Sequence, residues 1–371
     1  MAEENKPAGK QAGKPASRPA NKPGKDAGQD VDAAPAKRRR SKGLGLTLRD
    51  VARLANVAPI TASRALNTPD AVSDEILQRV KDAVERTGYV PNLLAGGLAS
   101  RRSRLVAAVV PTITGSVFLE TVQALTETLA ANGYQMMLGQ SGYHGSREDA
   151  LLETIIGRRP DGVILTGIMH STLARRRLVA SGIPVVETWD LTPTPVDMLV
   201  GFSHEKVGAA VAQFLHRRGR RRMACISADD ERAIRRNLAF ANAAQALGAD
   251  VVPTHMVPAP SSVASGREGL RALLAKDPSL DAIFCSSDMV ALGVLTEAQA
   301  QGIRVPDQLA IIGLGDLAMS RELHPALTTV RVDGTLIGHT AAQYIMQRAD
   351  GLTVAEPVCD VGFTIVERAT T

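Results

Sequence analysis

The stretch that decides the reading is Thr47-Leu48-Arg49-Asp50-Val51-Ala52-Arg53-Leu54-Ala55-Asn56-Val57-Ala58-Pro59-Ile60-Thr61-Ala62-Ser63-Arg64-Ala65-Leu66-Asn67. Thr47 and Asp50 have capping-box spacing, and Leu48, Val51, Ala52 and Ala55 fall on one face of a first helix. Asn56-Val57-Ala58 leaves room only for a tight turn. Pro59, a residue favoured at the first helical position, opens a second helix that runs through Leu66. A third follows Ser73, with Asp74 and Glu75 in its first turn and Ile76, Val80, Ala83 and Val84 on its apolar face, and Gly88 is placed to end it. Two helices joined by such a turn and backed by a third form the arrangement whose second helix enters the DNA major groove. The polar face of that second helix, Thr61, Ser63, Arg64 and Asn67, can donate to phosphates and to purine edges. A small helical cap on an α/β enzyme would show the same three helices, so the flanking sequence has to decide.

Upstream, Met1–Lys42 holds eleven Lys and Arg against five Asp and Glu, while the whole chain carries a formal net charge of +5. The positive excess therefore lies entirely in this tail. With almost no branched or aromatic residues to offset the entropy of ordering, residues 1–45 read as a disordered basic tail. Its last part, Lys37-Arg38-Arg39-Arg40-Ser41-Lys42, is a run that associates with phosphates. The tail has no apolar run of the ~7–15 residues a secretion signal needs, and no stretch of ~18 apolar residues that could cross a bilayer occurs anywhere. A cytoplasmic protein with no membrane partner is expected.

The 371 residues, 44% of them hydrophobic, are enough for two or three domains with buried cores. Beyond Asn92 the pattern changes. Short β-branched runs, Leu105–Val110, Gln135–Leu138, Gly162–Leu165, Pro184–Val186, Met223–Ile226, Ala282–Cys285 and Ala310–Gly313, alternate with amphipathic helices over Leu119–Asn132, Glu205–Arg217, Ile234–Leu247 and Met289–Gln301. Apolar strands separated by helices signal parallel sheets covered on both faces. The runs divide near Gly201 into two groups of similar length, predicting two α/β lobes with a ligand-sized cleft between them. Cys225, Cys285 and Cys359 are far apart and odd in number, so they read as small buried hydrophobes rather than disulfides or a zinc site. No phosphate loop, dinucleotide fingerprint, nucleophile with its base, or metal-spaced histidine set occurs, which argues against an enzyme and against any cofactor or metal.

The quoted stretch, together with Val72-Ser73 and Gly88-Tyr89-Val90-Pro91-Asn92, resembles the headpiece of lactose-repressor (LacI) family transcriptional regulators. Asp161-Gly162-Val163-Ile164-Leu165, Gly182-Ile183-Pro184-Val185-Val186, Ser286-Ser287-Asp288-Met289-Val290-Ala291-Leu292-Gly293, Val305-Pro306-Asp307 and Pro325-Ala326-Leu327-Thr328-Thr329-Val330 agree with it. The resemblance implies an α/β chain with a helix-turn-helix headpiece over 46–91, a hinge helix over 92–103, and a two-lobed, periplasmic-binding-protein-like effector domain with parallel sheets over 104–371. The first lobe would take about 104–202 and 334–352, and the second about 203–333 and 353–371. A homodimer would read a near-palindromic double-stranded operator. The chain ends without leucine heptads, which favours a dimer over a tetramer.

Carried over by position, base readout falls on Pro59, Ile60 and Arg64. The first two offer only apolar contact, such as with a thymine methyl. Thr47, Thr61, Ser63 and Asn67 are cast as phosphate and groove contacts that set register. In the hinge, Asn92 and Ala95 flank Leu98, which corresponds to a leucine wedged between base pairs in the minor groove. Gly96-Gly97 just before it costs about 1 kcal/mol per glycine inside a helix, predicting a hinge that depends on DNA to form. Effector contacts fall on Thr112, Ser116, Phe118, Thr166, Trp189, Arg236, Ser261, Ser287 and Gly315. Trp189 either stacks on a sugar or simply fills the core. Gly315 stands where the lactose-binding branch has an acidic residue, and with Arg236 this favours an anionic ligand.

Several stretches are most similar to the gluconate-utilisation repressors of that family: Gly133-Tyr134-Gln135-Met136-Met137-Leu138, Ile183-Pro184-Val185-Val186-Glu187, Val200-Gly201-Phe202, Asp230-Glu231-Arg232-Ala233-Ile234 and Asp360-Val361-Gly362-Phe363-Thr364. They imply a repressor released from its operator by gluconate, a ketogluconate or a related sugar acid. A family member answering to a neutral or phosphorylated sugar, or one that needs a corepressor, is the alternative.

Overall fold

The computed structural model describes residues 46–90, 102–113, 116–143, 145–168, 170–249 and 251–371, in two compact units that meet in sequence at Val90 and Pro91. The N-terminal unit is three helices, α1 (Leu48–Leu54), α2 (Pro59–Asn67) and α3 (Asp74–Thr87). The Asp50 carboxylate accepts from the Thr47 backbone N–H at 3.0 Å and from its hydroxyl at 2.6 Å, which starts α1. The turn is made by Asn56 at φ 52°, a left-handed conformation Asn tolerates better than most residues. It lets the Val57 N–H reach back to the Ala52 carbonyl at 2.9 Å, closing α1 and turning the chain sharply into α2. Gly88, also left-handed, ends α3. Val51, Ala52, Ala55, Ala62, Ala65, Val80 and Ala83 form the core. The many alanines let three short helices approach closely enough to bury one another.

The second unit holds two six-stranded sheets. The first runs β11-β5-β4-β3-β1-β2, built from β1 (Leu105–Val110), β2 (Gln135–Gln140), β3 (Gly162–Thr166), β4 (Val185–Thr188), β5 (Met198–Gly201) and β11 (Val358–Asp360), all parallel. The second runs β12-β10-β9-β8-β6-β7, from β6 (Met223–Ala228), β7 (Thr254–Val257), β8 (Ala282–Cys285), β9 (Ala310–Leu314), β10 (Thr328–Arg331) and β12 (Thr364–Val366), parallel except for β12. Each sheet is covered on both faces. In the second, Met223, Cys225, Phe284 and Ile312 pack under α7 (His204–Arg217) and α8 (Glu231–Ala246). The alternate residues Ala224, Ile226, Ile283 and Ile311 pack under α9 (Val263–Lys276) and α10 (Asp288–Ala300). Such two-sided burial is why these strands read as continuous apolar runs. The first sheet is flanked by α4 (Leu119–Ala131) and α11 (Gly334–Ala349) on one face and α5 (Gly145–Gly157) and α6 (Thr172–Ser181) on the other. The helix α11 packs against α4: a Cβ added at Gly338 would stand 2.6 Å from the Thr121 carbonyl of α4, so only glycine permits that approach.

One boundary is corrected. The segment from 353 onward was expected in the second lobe, yet Val358, Cys359 and Asp360 pair with Leu199, Val200 and Gly201 at the edge of the first sheet. The chain returns to the second sheet only at Thr364. A three-residue, half-exposed edge strand has too little apolar content to show its partner in sequence. Cys225 and Cys285 are buried and free, and Cys359 is half-buried; burial pushes the Cys225 thiol up to about 12. Among the described residues, no helix is long and apolar enough to cross a membrane.

Candidate functional site

The first candidate surface is the outer face of α2. Its inner residues Ala62 and Ala65 are buried, which turns Pro59, Ile60, Arg64 and Asn67 outward, with Thr61 and Ser63 at the margins. Ile60 is 62% exposed, an apolar side chain held in water by the helix geometry, as a contact with a thymine methyl requires. The Arg64 guanidinium is exposed. The Asn67 amide folds back onto the Ser63 carbonyl at 2.9 Å and its hydroxyl at 3.3 Å, leaving the Ser63 O–H to point elsewhere. The Thr47 hydroxyl is engaged with Asp50, and these bonds hold the Asp50 carboxyl below its usual range. Thr47 is thus first a helix start, and its outward donor capacity is already spent. Asn92, Ala95 and Leu98 lie outside the described residues. Where the described chain resumes, Ser103 donates from its backbone and hydroxyl to Asp161 at 2.8 and 3.0 Å.

The second candidate site is a cavity of about 320 Å³ between the two lobes. Of the residues expected there, it gathers Thr112, Phe118 and Trp189 from the first lobe and Arg236, Ser261 and Ser287 from the second. Thr166 and Gly315 are not in its wall. Thr166 ends β3 inside the sheet, paired with Thr188, and the chain then turns at Gly167. Gly315 has no side chain to project, and its neighbours Leu314 and Leu317 form the wall instead. Ser116 starts the short 3-10 turn Ser116–Phe118, and its side chain lies outside the described part of the structure.

The second-lobe wall is built from helix starts. Asp230 caps α8 by accepting from the Ala233 N–H at 3.2 Å, Ser262 caps α9, and Ser287 caps α10; all three line the cavity. Helix N-termini carry partial positive charge and favour anions. Arg236, only 6% exposed, adds a full charge. Its Nη1 donates to His204 Nδ1 at 3.0 Å and its Nη2 to the Ser286 carbonyl at 3.2 Å, while its Nε has no partner among the described residues. Burial lowers its pKa to about 10, so it stays protonated at neutral pH. His204 is driven well below its usual range, first by burial and then by the neighbouring arginines. It is therefore neutral, with the Nε2–H donating to the Trp189 carbonyl at 3.0 Å and Nδ1 accepting from Arg236.

Trp189 takes the core alternative while still lining the cavity. It is 4% exposed, its indole N–H is spent on Thr121 Oγ1 at 3.0 Å, and it stacks edge-on against Phe118 and Phe202, so it is a core residue that presents only carbon to the cavity. The carboxylate of Asp288 accepts from the Leu317 N–H at 2.9 Å, Ser320 Oγ at 2.6 Å and Thr329 Oγ1 at 2.5 Å, fixing the loop that carries Leu317.

Tyr143, Phe202, His204, Asp230, Arg232 and Ser286 line the cavity without having been singled out as effector contacts in the sequence. For Arg232 a signal existed: it stands four residues before Arg236 at the start of the same helix, and so on the same face. Arg235, by contrast, turns away to an ion pair with the buried Asp190 and to Glu205 at 3.3 Å.

Comparison with known proteins finds relatives of both units. The model of bacterial regulatory proteins of the lacI family matches residues 47–92, and that of the periplasmic binding protein-like domain matches residues 212–371. The HTH-type transcriptional regulator GntR of Pseudomonas aeruginosa is 39% identical over 327 residues, covering 88% of this chain and 95% of that protein. The regulator of the same name from Escherichia coli K12 is 32% identical over 320 residues, covering 86% and 96%. A crystal structure of a LacI-family transcriptional regulator from Silicibacter pomeroyi superposes with a TM-score of 0.83 at 34% identity, covering 88% of this chain and 99% of that one.

Proposed function

The chain belongs to the lacI family of bacterial regulatory proteins, and from that premise we propose that it represses sugar-acid utilisation genes and is released from its operator by gluconate or a ketogluconate. It is a DNA-binding transcriptional regulator. The finer reading places α2 in the major groove, with Arg64 donating to a purine edge and Ile60 and Pro59 making apolar contacts. Thr61, Ser63 and Asn67 hold the phosphates that set register. A dimer presents two such helices to a near-palindromic operator, and the two hinges insert Leu98 when DNA is bound.

The observation that carries the effector reading is Arg236, a buried cation with a free N–H in a wall of helix N-termini. In a dry site a carboxylate accepting from such donors gains charge-assisted hydrogen bonds, and the remaining serines suit hydroxyl groups. A neutral ligand in the same wall would leave the Arg236 Nε–H without a charged acceptor. Capture of the acid draws the lobes together around it and shifts the first lobes of the dimer, which unseats the hinges. Linkage then requires operator DNA to weaken effector binding by the factor that the effector weakens DNA binding.

Calorimetric titration of the purified protein with gluconate, 2-ketogluconate, 6-phosphogluconate, glucose and ribose tests this. Micromolar binding of a sugar acid, weakened in Arg236→Ala, is the expected result. Binding of a neutral sugar alone would leave the DNA-binding class standing and overturn the sugar-acid assignment.

A further inference from the structure

Arg232 leaves the first turn of α8 in the second lobe, but its guanidinium stands against the first. Its Cζ lies 5.4 Å from the centre of the Phe118 ring, and a Cβ added at Gly167 would meet its Nη1 at 3.6 Å. On its own lobe its Nε is 3.6 Å from the Asp230 carboxylate. The side chain is 13% exposed and lines the cavity, yet Nη1 is buried with no hydrogen-bond partner among the described residues.

A buried charged donor left unpaired is costly, so this nitrogen calls for an acceptor from the cavity. Arg236 is differently placed. Each of its terminal nitrogens already makes one hydrogen bond, to His204 and to Ser286, and only its Nε makes none. The residue with a terminal nitrogen that makes no hydrogen bond among the described residues is Arg232, and it also touches the opposite lobe.

We propose that Arg232, rather than Arg236, selects for an anionic effector, its Nη1 donating to a carboxylate oxygen while its stacking on Phe118 joins the captured acid to the first lobe. This rests on the sugar-acid reading of the cleft and names the residue that enforces it. Arg236 then serves as a fixed donor that completes the wall.

The test compares gluconate with gluconamide, its neutral amide, by calorimetry on the full chain and on Arg232→Met, Arg232→Lys and Arg236→Met. Quenching of Trp189, the sole tryptophan, serves as a second readout. Wild type binds gluconate more tightly than gluconamide. Arg232→Met weakens gluconate by roughly 30- to 100-fold, the scale of a lost charged hydrogen bond, and abolishes the preference for the acid. Arg232→Lys keeps the charge and a reduced preference, with a smaller loss. If Arg232→Met fails to fold, the lysine variant decides: wild-type affinity and preference in it would overturn the proposal. A preference retained in Arg232→Met, or lost only in Arg236→Met, overturns the proposal and leaves the sugar-acid reading intact. Failure of wild type to bind either gluconate or 2-ketogluconate overturns both.

Discussion

In the headpiece, the residues turned outward lie on one short helix, from Pro59 to Asn67, whereas the cleft is assembled from segments as distant as Thr112 and Leu317. The headpiece face is polar and apolar groups in water, with Ile60 and Arg64 exposed. The cleft is ionised groups out of water, with Arg236 and Arg232 short of partners. The difference teaches where each energy comes from: a surface reader gains by exchanging water for base edges, while a buried site is held ready by charges that the protein alone leaves unpaired.

The sharpest way to break that comparison is pH, because buried histidines occur only in the second unit. His170, between Glu148 at 2.6 Å and Glu187 at 3.3 Å, has its pKa raised from 6.5 to about 9; burial opposes the shift, and its hydrogen bond to Glu148 together with the charges of both glutamates overcomes it. A raised folded-state value contributes stability that is full below pH 6.5 and is lost as pH rises through about 9. From the shift this amounts to about 3 kcal/mol. His204, with its value depressed, acts oppositely, and its contribution falls away as pH drops below the ordinary histidine range. Scanning calorimetry is expected to show the effector unit most stable near pH 6.5, with His170→Gln flattening the alkaline loss. An alkaline loss unchanged in that variant would remove His170 from the account.

Next in size is Arg64→Ala, expected to cost about 1–3 kcal/mol of operator affinity and relax specificity at one base pair per half-site. Effector affinity measured without DNA should stay at the wild-type value. A matched loss of effector affinity would mean the two regions are not separable. Thr47→Val removes a hydroxyl bond to Asp50 and should lower headpiece stability by roughly 1 kcal/mol, read as a shift in its melting transition alone. Smallest is Gly96→Ala, which favours helix in the hinge by up to about 1 kcal/mol and should tighten operator binding slightly; unchanged or weaker binding would discount the glycines.

The same contrast explains what was legible. The headpiece could be read nearly residue by residue, because Asn56 at the turn, Pro59 at the helix start and Gly88 at the end are local signals with local causes. The central strands β1, β3, β6, β8 and β9 were legible from apolar runs buried on both faces. The strands β5, β7, β10, β11 and β12 were not, being short or at sheet margins where pairing, not composition, makes the strand. In the cleft, Thr112, Phe118, Trp189, Arg236, Ser261 and Ser287 were placed by position in a family pattern. For Arg232 the helical spacing from Arg236 was a signal in the sequence, but what sets it apart, a buried nitrogen without a partner beside a ring from the other lobe, exists only once the chain is folded.

The account stands on coupling between these two regions, and the most direct measurement is operator affinity against gluconate concentration, with gluconate affinity measured on the free protein and on the protein saturated with operator. The account predicts that gluconate weakens operator binding and that operator weakens gluconate binding by the same factor. Gluconate that binds tightly yet leaves operator affinity unchanged, or raises it, would contradict it.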